Sequence, residues 1–245
     1  MDKLIYTAMS GATAAANRQA VLSNNLANVS TNGFRAEMAT YRAVPVRGDG
    51  ATTRVLAMEA TAGHLNTPGP IQRTGRNTDV ATTGNAWLTV QGLDGTEAYT
   101  RNGAFEVNGE GTLVTGSGLP VLSDGGPIIV PAGGEVAIGF DGTITAKVGN
   151  QPPTGIGKLK MVTPTADDPL KRGDDGLFRA TSGDPLPADA TAKLASGALE
   201  GSNVNAVETM VGMIQTARQF EVQMRLLQTA ESNDRSAGQL LSMQG

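Results

Sequence analysis

At 245 residues the chain is long enough for one good domain with extra elements, or for two small ones. Charged residues make up 17% and aromatics 4%, while glycine reaches 32 residues, so bulky apolar mass for one large core is missing; an elongated body that completes its burial with neighbours is expected. A net charge of −4, scattered lysines and arginines, no apolar run near the roughly 20 residues of a membrane span, and no cysteine together exclude a nucleic-acid surface, a spanning helix, a disulfide frame and thiol chemistry.

The first predicted element is a long alanine-rich helix that begins at Asp2 and stops in the Asn/Gly-rich stretch ending at Arg35. Ile5, Ala8, Ala12, Ala15, Leu22 and Leu26 fall at alternating three- and four-residue steps, with Gln19 as the polar member of the series, which is the 3.5-residue repeat of a coiled-coil seam. Asp2, Lys3 and Arg18 are its only charges before Asn28. A helix so poorly charged is expected to touch partners on more than one side. The run Leu4–Met9 is short and carries Tyr6 and Thr7, so no cleaved signal peptide is expected. Asn28-Val-Ser30 fits a glycosylation sequon, a match expected by chance in an Asn-rich chain.

Residues 36–68 show no stable period and are interrupted by Pro45, Gly48, Gly50 and Gly63, which predicts an extended linker with one or two strands. From residue 69 to 200 the pattern is β. Trp87–Val90 alternates, Asp94-Gly95 turns, Glu97–Thr100 returns, Asn102-Gly103 turns, and Ala104–Val107 and Thr112–Val114 follow. Further strands are predicted at Pro127–Val130, Glu135–Phe140, Thr143–Ala146, Lys158–Val162 and Gly176–Ala180, with loops over Asn150–Gly157 and Asp184–Ala190. Leu194–Glu200 leads into Gly201, after which Ser202 or Asn203 is expected to cap a final helix. In that helix Ala206, Met210, Met213, Ala217, Phe220, Met224 and Leu227 continue the three/four alternation, and Val207, Val211 and Ile214 add a second stripe.

Chemistry is scarce. His64 is the only histidine, so a His-based triad and a multi-His metal site are both excluded. Gly116-Ser-Gly118 lacks the third glycine and the helix of a dinucleotide loop. Asp167-Asp168 and Asp174-Asp175 lack the alternating ligand spacing of an EF-hand and read as turn residues bonding their own backbone. No catalytic residue, cofactor or metal is assigned.

Three stretches occur in one order: Met1–Gly11 running on to Ser23–Arg35, with Asn25, Leu26, Ala27, Asn28, Thr31, Gly33 and Phe34; Asp79–Ala81 with Tyr99, Thr100, Arg101, Asn102, Gly103 and Phe105, and then Gly111–Thr115; and Leu199, Glu200, Ser202, Asn203, Val204 and Asn205 leading to Val207 and Met210–Glu221. Together they resemble the signatures of the flagellar axial (rod and hook) family. Ala43–Val46, Arg172–Phe178, Ala217–Glu221 and Leu240–Met243 are similar to a proximal-rod member, with the distal-rod protein as the rival.

The resemblance implies an α+β, mainly β fold, in which an all-β central domain of meandering hairpins is flanked by terminal helices that pair as a coiled-coil-like module. It divides the chain into a helical module (1–35 and 201–245, the inner tube), an extended linker (36–68) and a β domain (69–200, the outer layer). The implied function is a non-enzymatic structural subunit of the basal-body rod, part of the drive shaft and export channel. Implied partners are further copies, neighbouring proximal- and distal-rod proteins, and the flagellar type III export apparatus during secretion; the implied location is the rod in the periplasm. The assembly interface is expected at Ile5, Ala8, Ala12, Ala15, Leu22, Leu26, Val207, Met210, Met213, Ile214, Ala217, Phe220, Met224 and Leu227. A reading of another class is a secreted β-domain adhesin or binding module that its helices trimerise.

Overall fold

The computed structural model describes residues 2–45 and 55–242, so Val46, Gly48 and Gly50 of the expected linker, and Met243 and Gln244 at the far end, lie outside the described residues. Two helices bracket the strands: α1 (Asp2–Ala27) and α2 (Ala206–Ser242). By contacts the chain forms two compact units, one of Met1–Val29, Ala36–His64 and Val204–Gly245, the other of Ser30–Arg35 and Leu65–Asn203. The fold class read from the sequence, mainly β strands between paired terminal helices, is the one observed.

In the first unit α1 packs on α2 and on a hairpin of β1 (Glu37–Pro45) and β2 (Val55–His64). Register runs antiparallel from Glu37 opposite His64 to Pro45 opposite Val55, with an irregularity between Thr40 and Tyr41. The strands expected within 36–68 are thus one long hairpin. The asparagines at the end of α1 explain how it is held. The Asn25 side chain donates to the Glu37 carbonyl at 2.9 Å and accepts the Glu37 N–H at 2.8 Å, standing in for a strand neighbour. Asn24 Nδ2 donates to Glu37 Oε2 at 2.8 Å, and Asn28 Nδ2 donates back to the Asn24 carbonyl at 2.9 Å. Polar side chains that would compete with a helix interior instead close its end.

The second unit is all β. Its five-stranded sheet has the order Met161–Val162, Trp87–Gln91, Glu97–Thr100, Phe178–Ala180, Leu170–Arg172; a three-stranded meander runs Gly134–Ile138, Thr143–Val148, Thr154–Lys158. Ile71–Arg73 pairs with Ala198–Glu200, and Val80–Thr82 with Leu194–Ser196. One core gathers Val80, Leu88, Phe105, Leu113, Ile144 and Met161. A second packs Trp87, Tyr99, Val162, Leu170, Phe178 and Leu186, with the Trp87 and Phe178 rings 4.6 Å apart. Because Met161–Val162 pairs with Trp87–Gln91 and Phe178–Ala180 with Glu97–Thr100, the 150–190 stretch is no separate lobe.

Hairpin tips repeat one five-residue device. In Gly92–Thr96, Gly139–Thr143 and Gly173–Leu177 the first N–H donates to the fifth carbonyl, at 2.8 Å in each. The fourth residue, Gly95, Gly142 or Gly176, has φ near +80° (78°, 84° and 78°), which glycine adopts without steric cost.

Three local expectations are corrected. Gly126–Pro127 is the strand, rather than 127–130, because Ile129 makes only an isolated bridge to Thr112. The 150–157 loop ends at Thr154, where a Gly-containing edge strand starts, and 158–162 is broken into the ends of two strands. Neither Ser202 nor Asn203 caps α2: Asn205 Oδ1 accepts the Val207 and Glu208 N–H groups at 3.1 and 3.3 Å. Asn205→Ala is therefore expected to lower the stability of the helix pair by about 1 kcal/mol, seen as earlier loss of helical circular dichroism on heating.

Candidate assembly interface

The helix pair is built from small residues. Ala8, Ala12 and Ala15 are buried, and a methyl added at Gly11 would lie 3.0 Å from Gln223 Cδ, one at Gly212 3.4 Å from Leu22 Cδ1. Eleven residues forward on α1 match eleven back on α2, so the helices run antiparallel. On α2 the side turned to α1 holds buried Thr209, Thr216 and Ala230 and half-buried Met213, Gln223 and Leu227.

That seam differs by one residue from the apolar series in the sequence. Ala206, Met213 and Leu227 belong to both, but Thr209, Thr216 and Gln223 replace Met210, Ala217 and Met224. The threonines manage this because each hydroxyl donates to the carbonyl four residues back, Thr209 to Asn205 at 2.7 Å and Thr216 to Gly212 at 2.8 Å. Their hydroxyls are satisfied within the helix, so both residues are buried without an unpaired polar atom.

The consequence is a second apolar face on α2. Val207 is 71% exposed, Met210 50%, Val211 47% and Ile214 55%, and Ala217, Phe220 and Met224 are exposed beside them. Val207 and Thr216 are nine residues apart, about two and a half turns, so the Val207/Val211/Ile214 stripe points away from α1. Of the residues expected at the interface, then, Ala8, Ala12 and Ala15 are already buried within the chain. Leu22, Leu26, Met213 and Leu227 are half-buried, while Ile5 and the α2 stripe face outward.

The motif residues meet in the other unit. Glu200 Oε1 lies 2.7 Å from Arg35 Nη1, and Glu200 Oε2 lies 3.2 Å from Arg101 Nη1, all three side chains being at most 1% exposed. Arg35 Nη1 also donates to the Thr67 carbonyl at 2.8 Å, Arg101 Nη1 to Thr82 Oγ1 at 2.9 Å, and Arg101 Nη2 to the Gly84 carbonyl at 2.7 Å. Glu200 Oε1 accepts the Gly69 N–H at 2.9 Å. The Arg101 guanidinium sits 5.2 Å above the Trp87 ring; burial pulls it down to about 10, and Glu200 opposes that shift. It stays charged at neutral pH. Further hydrogen bonds fasten the same junction: the Gly33 N–H donates to the Glu200 carbonyl at 2.7 Å, and the Asn203 side-chain Nδ2 donates to the Leu65 and Thr67 carbonyls at 3.0 and 2.9 Å. Gly33 has φ +70°, and a Cβ there would fall 2.3 Å from the Arg101 carbonyl carbon. Phe105 is fully buried, and Tyr99 Oη donates to Glu97 while accepting the Leu186 N–H at 2.7 Å; burial raises its pKa.

All three motif stretches thus converge on one ionic junction, which the sequence reading did not foresee as a unit. A partial signal was present: Arg35, Arg101 and Glu200 are the single charges of Ser23–Arg35, Tyr99–Phe105 and Leu199–Val207 in a chain with 17% charge.

Surface aspartates serve turns. Asp94, Asp141, Asp175 and Asp189 accept the N–H two residues on, from Thr96, Thr143, Leu177 and Thr191 at 3.0, 3.1, 3.1 and 2.9 Å. Asp168 differs from expectation by bonding the N–H and hydroxyl of distant Ser182. Hydroxyl donors first, and Arg179 at Asp175, hold all five below the usual carboxylate range; the Thr163 and Thr191 hydroxyls bring Asp189 to about 2. A carboxylate depressed in the fold adds stability that is complete above its unfolded pKa near 4 and is lost as pH falls through the folded value. The melting temperature of the chain is accordingly expected to hold between pH 5 and 7 and to drop between about pH 4 and 2. Among the described residues no group of three or more His, Asp or Glu is placed to hold a metal ion, and no helix is long and apolar enough to cross a membrane.

Comparison with known proteins matches three families along the chain: "Flagella basal body rod protein" at residues 5–35, "Flagellar hook protein FlgE/F/G D1 domain" at 81–146 and "Flagellar basal body rod FlgEFG protein C-terminal" at 195–240. The flagellar basal-body rod protein FlgF of Escherichia coli K12 is 48% identical over 99% of this chain and all of its own length. FlgF of Salmonella typhimurium LT2 is 47% identical over the same shares, 99% and 100%. The flagellar basal-body rod protein FlgG of Buchnera aphidicola from Acyrthosiphon pisum is 32% identical over 90% of this chain and 92% of its own.

Proposed function

The chain belongs to the flagellar basal-body rod protein family and is a structural rod subunit; on that premise we propose that it occupies the proximal rod, in the periplasm, and assembles through its terminal helices. The observation that supports this reading is the second apolar face of α2. One face already covers α1, so the fold of the single chain has no use for Val207, Val211 and Ile214 as exposed aliphatics. An exposed apolar stripe of this kind suits a partner surface. Contacts that are heterologous and do not close into a ring build a helix of subunits, as a rod requires. The partners are further copies and neighbouring rod proteins, with export through the flagellar type III apparatus. The role is mechanical, carrying torque from motor to hook and lining the export channel; no catalytic step is assigned.

The fuller likeness to FlgF than to FlgG, 48% against 32% identity, favours the proximal over the distal reading. The adhesin reading gives way, since the likeness to rod proteins spans 99% of the chain. Electron cryomicroscopy of basal bodies from cells lacking the chain tests the role. Rods arrested before the distal segment and hook are expected; rods of full length would overturn it.

A further inference from the structure

Between α1 and the β1–β2 hairpin lies a groove of about 300 Å³, lined by Tyr6, Met9, Thr13 and Asn17 of α1 and by Tyr41 and Leu56 of the hairpin. Among the described residues no charged side chain lines it. Ser10 Oγ donates to the Ala57 carbonyl at 2.9 Å and ties its two walls together. Tyr6 and Met9, 61% and 54% exposed, leave it open to its surroundings.

We propose that this groove receives the Val207/Val211/Ile214 stripe of a second copy of the chain, a proposal that rests on the rod reading above. The dimensions agree: Tyr6 to Asn17 spans about 16 Å of helix and Val207 to Ile214 about 10 Å, at about 1.5 Å per residue. The chemistry agrees as well. Aliphatic side chains at positions i, i+4 and i+7 meet a wall that, among the described residues, carries no charge. One rim is complementary: exposed Arg18 follows Asn17 at the end of the groove, while the stripe begins beside Glu208, acidic in the first turn of α2. Arg218 ends the stripe one turn beyond Ile214. One chain cannot join its own halves, because the stripe is on the side of α2 turned away from α1. The contact is therefore heterologous, each copy offering a groove to one neighbour and a stripe to another.

The chain has no cysteine, which makes the test specific. Thr13→Cys and Val211→Cys are placed in separate copies, expressed together, and basal bodies are treated with a short bismaleimide. A cross-linked dimer of this chain is expected only when both variants are present. Basal bodies that contain the chain but yield no dimer, or a cross-link to a different rod protein, overturn the docking and leave the structural role standing. Absence of the wild-type chain from basal bodies overturns the role itself. A charge exchange gives a second readout: Glu208→Arg and Arg18→Glu are each expected to lower incorporation about two- to five-fold, and the double variant to restore it. Failure of the double variant to restore incorporation counts against the pairing.

Discussion

Glu200→Ala is expected to destabilise the β unit by about 3–5 kcal/mol, because it leaves two buried guanidiniums without their shared carboxylate. Arg35 and Arg101 are held by Glu200 at 2.7 and 3.2 Å with essentially no solvent access, so water cannot replace the lost charge. The Gly69 N–H loses its acceptor as well. Glu200→Gln keeps that acceptor but not the charge, and its cost is expected to fall between those of wild type and alanine. By contrast the triple change Arg35→Met, Arg101→Met, Glu200→Leu removes all three charges together and is expected to cost far less than Glu200→Ala alone. The chain supplies its own probe, since its one tryptophan, Trp87, lies beneath Arg101 and against Phe178. Urea titration followed by Trp87 fluorescence measures the difference, and a loss under 1 kcal/mol for Glu200→Ala would remove the junction's claimed importance.

Ile214→Glu is expected to have the opposite profile: little effect on the isolated chain and near loss of swarming. Ile214 is 55% exposed and makes no seam contact, so the substitution stays within about 0.5 kcal/mol for the free subunit. In an assembled contact the new carboxylate is buried without a partner. A penalty of about 3 kcal/mol there corresponds to roughly a hundredfold loss of incorporation. Ala12→Glu is the control for direction: Ala12 is buried against α2, and the charge there should open the helix pair itself. Equal losses of chain stability for both variants would contradict the division of α2 into an inward and an outward face.

The element types were legible because their signals are local. Asp94-Gly95 and Asp141-Gly142 fix hairpin tips through positive φ, and the alanine series of α1 can be nothing but a close-packed helix. What the chain hid was choice between near-equivalent options. Met210 and Thr209 are adjacent, and hydropathy favours methionine for the seam; the threonine hydroxyl's bond to Asn205 reverses that preference, and it is visible only in three dimensions. The cap moved from Ser202 or Asn203 to Asn205 for a related reason. Asn203 is already engaged with Leu65 and Thr67, residues 138 and 136 positions away. Long-range pairing of Arg35, Arg101 and Glu200 lies equally beyond any local pattern, though each is the single charge of its own short stretch, Ser23–Arg35, Tyr99–Phe105 and Leu199–Val207.

The outward face of α2 can be measured directly. With no native cysteine, Ile214→Cys carries a single thiol whose reaction with a maleimide reports its exposure. Fast labelling of the purified chain, at least tenfold slower labelling in intact basal bodies, and recovery after the basal bodies are dissociated are the predicted results. Labelling at the same rate in the free chain and in the rod would contradict burial of this face between subunits.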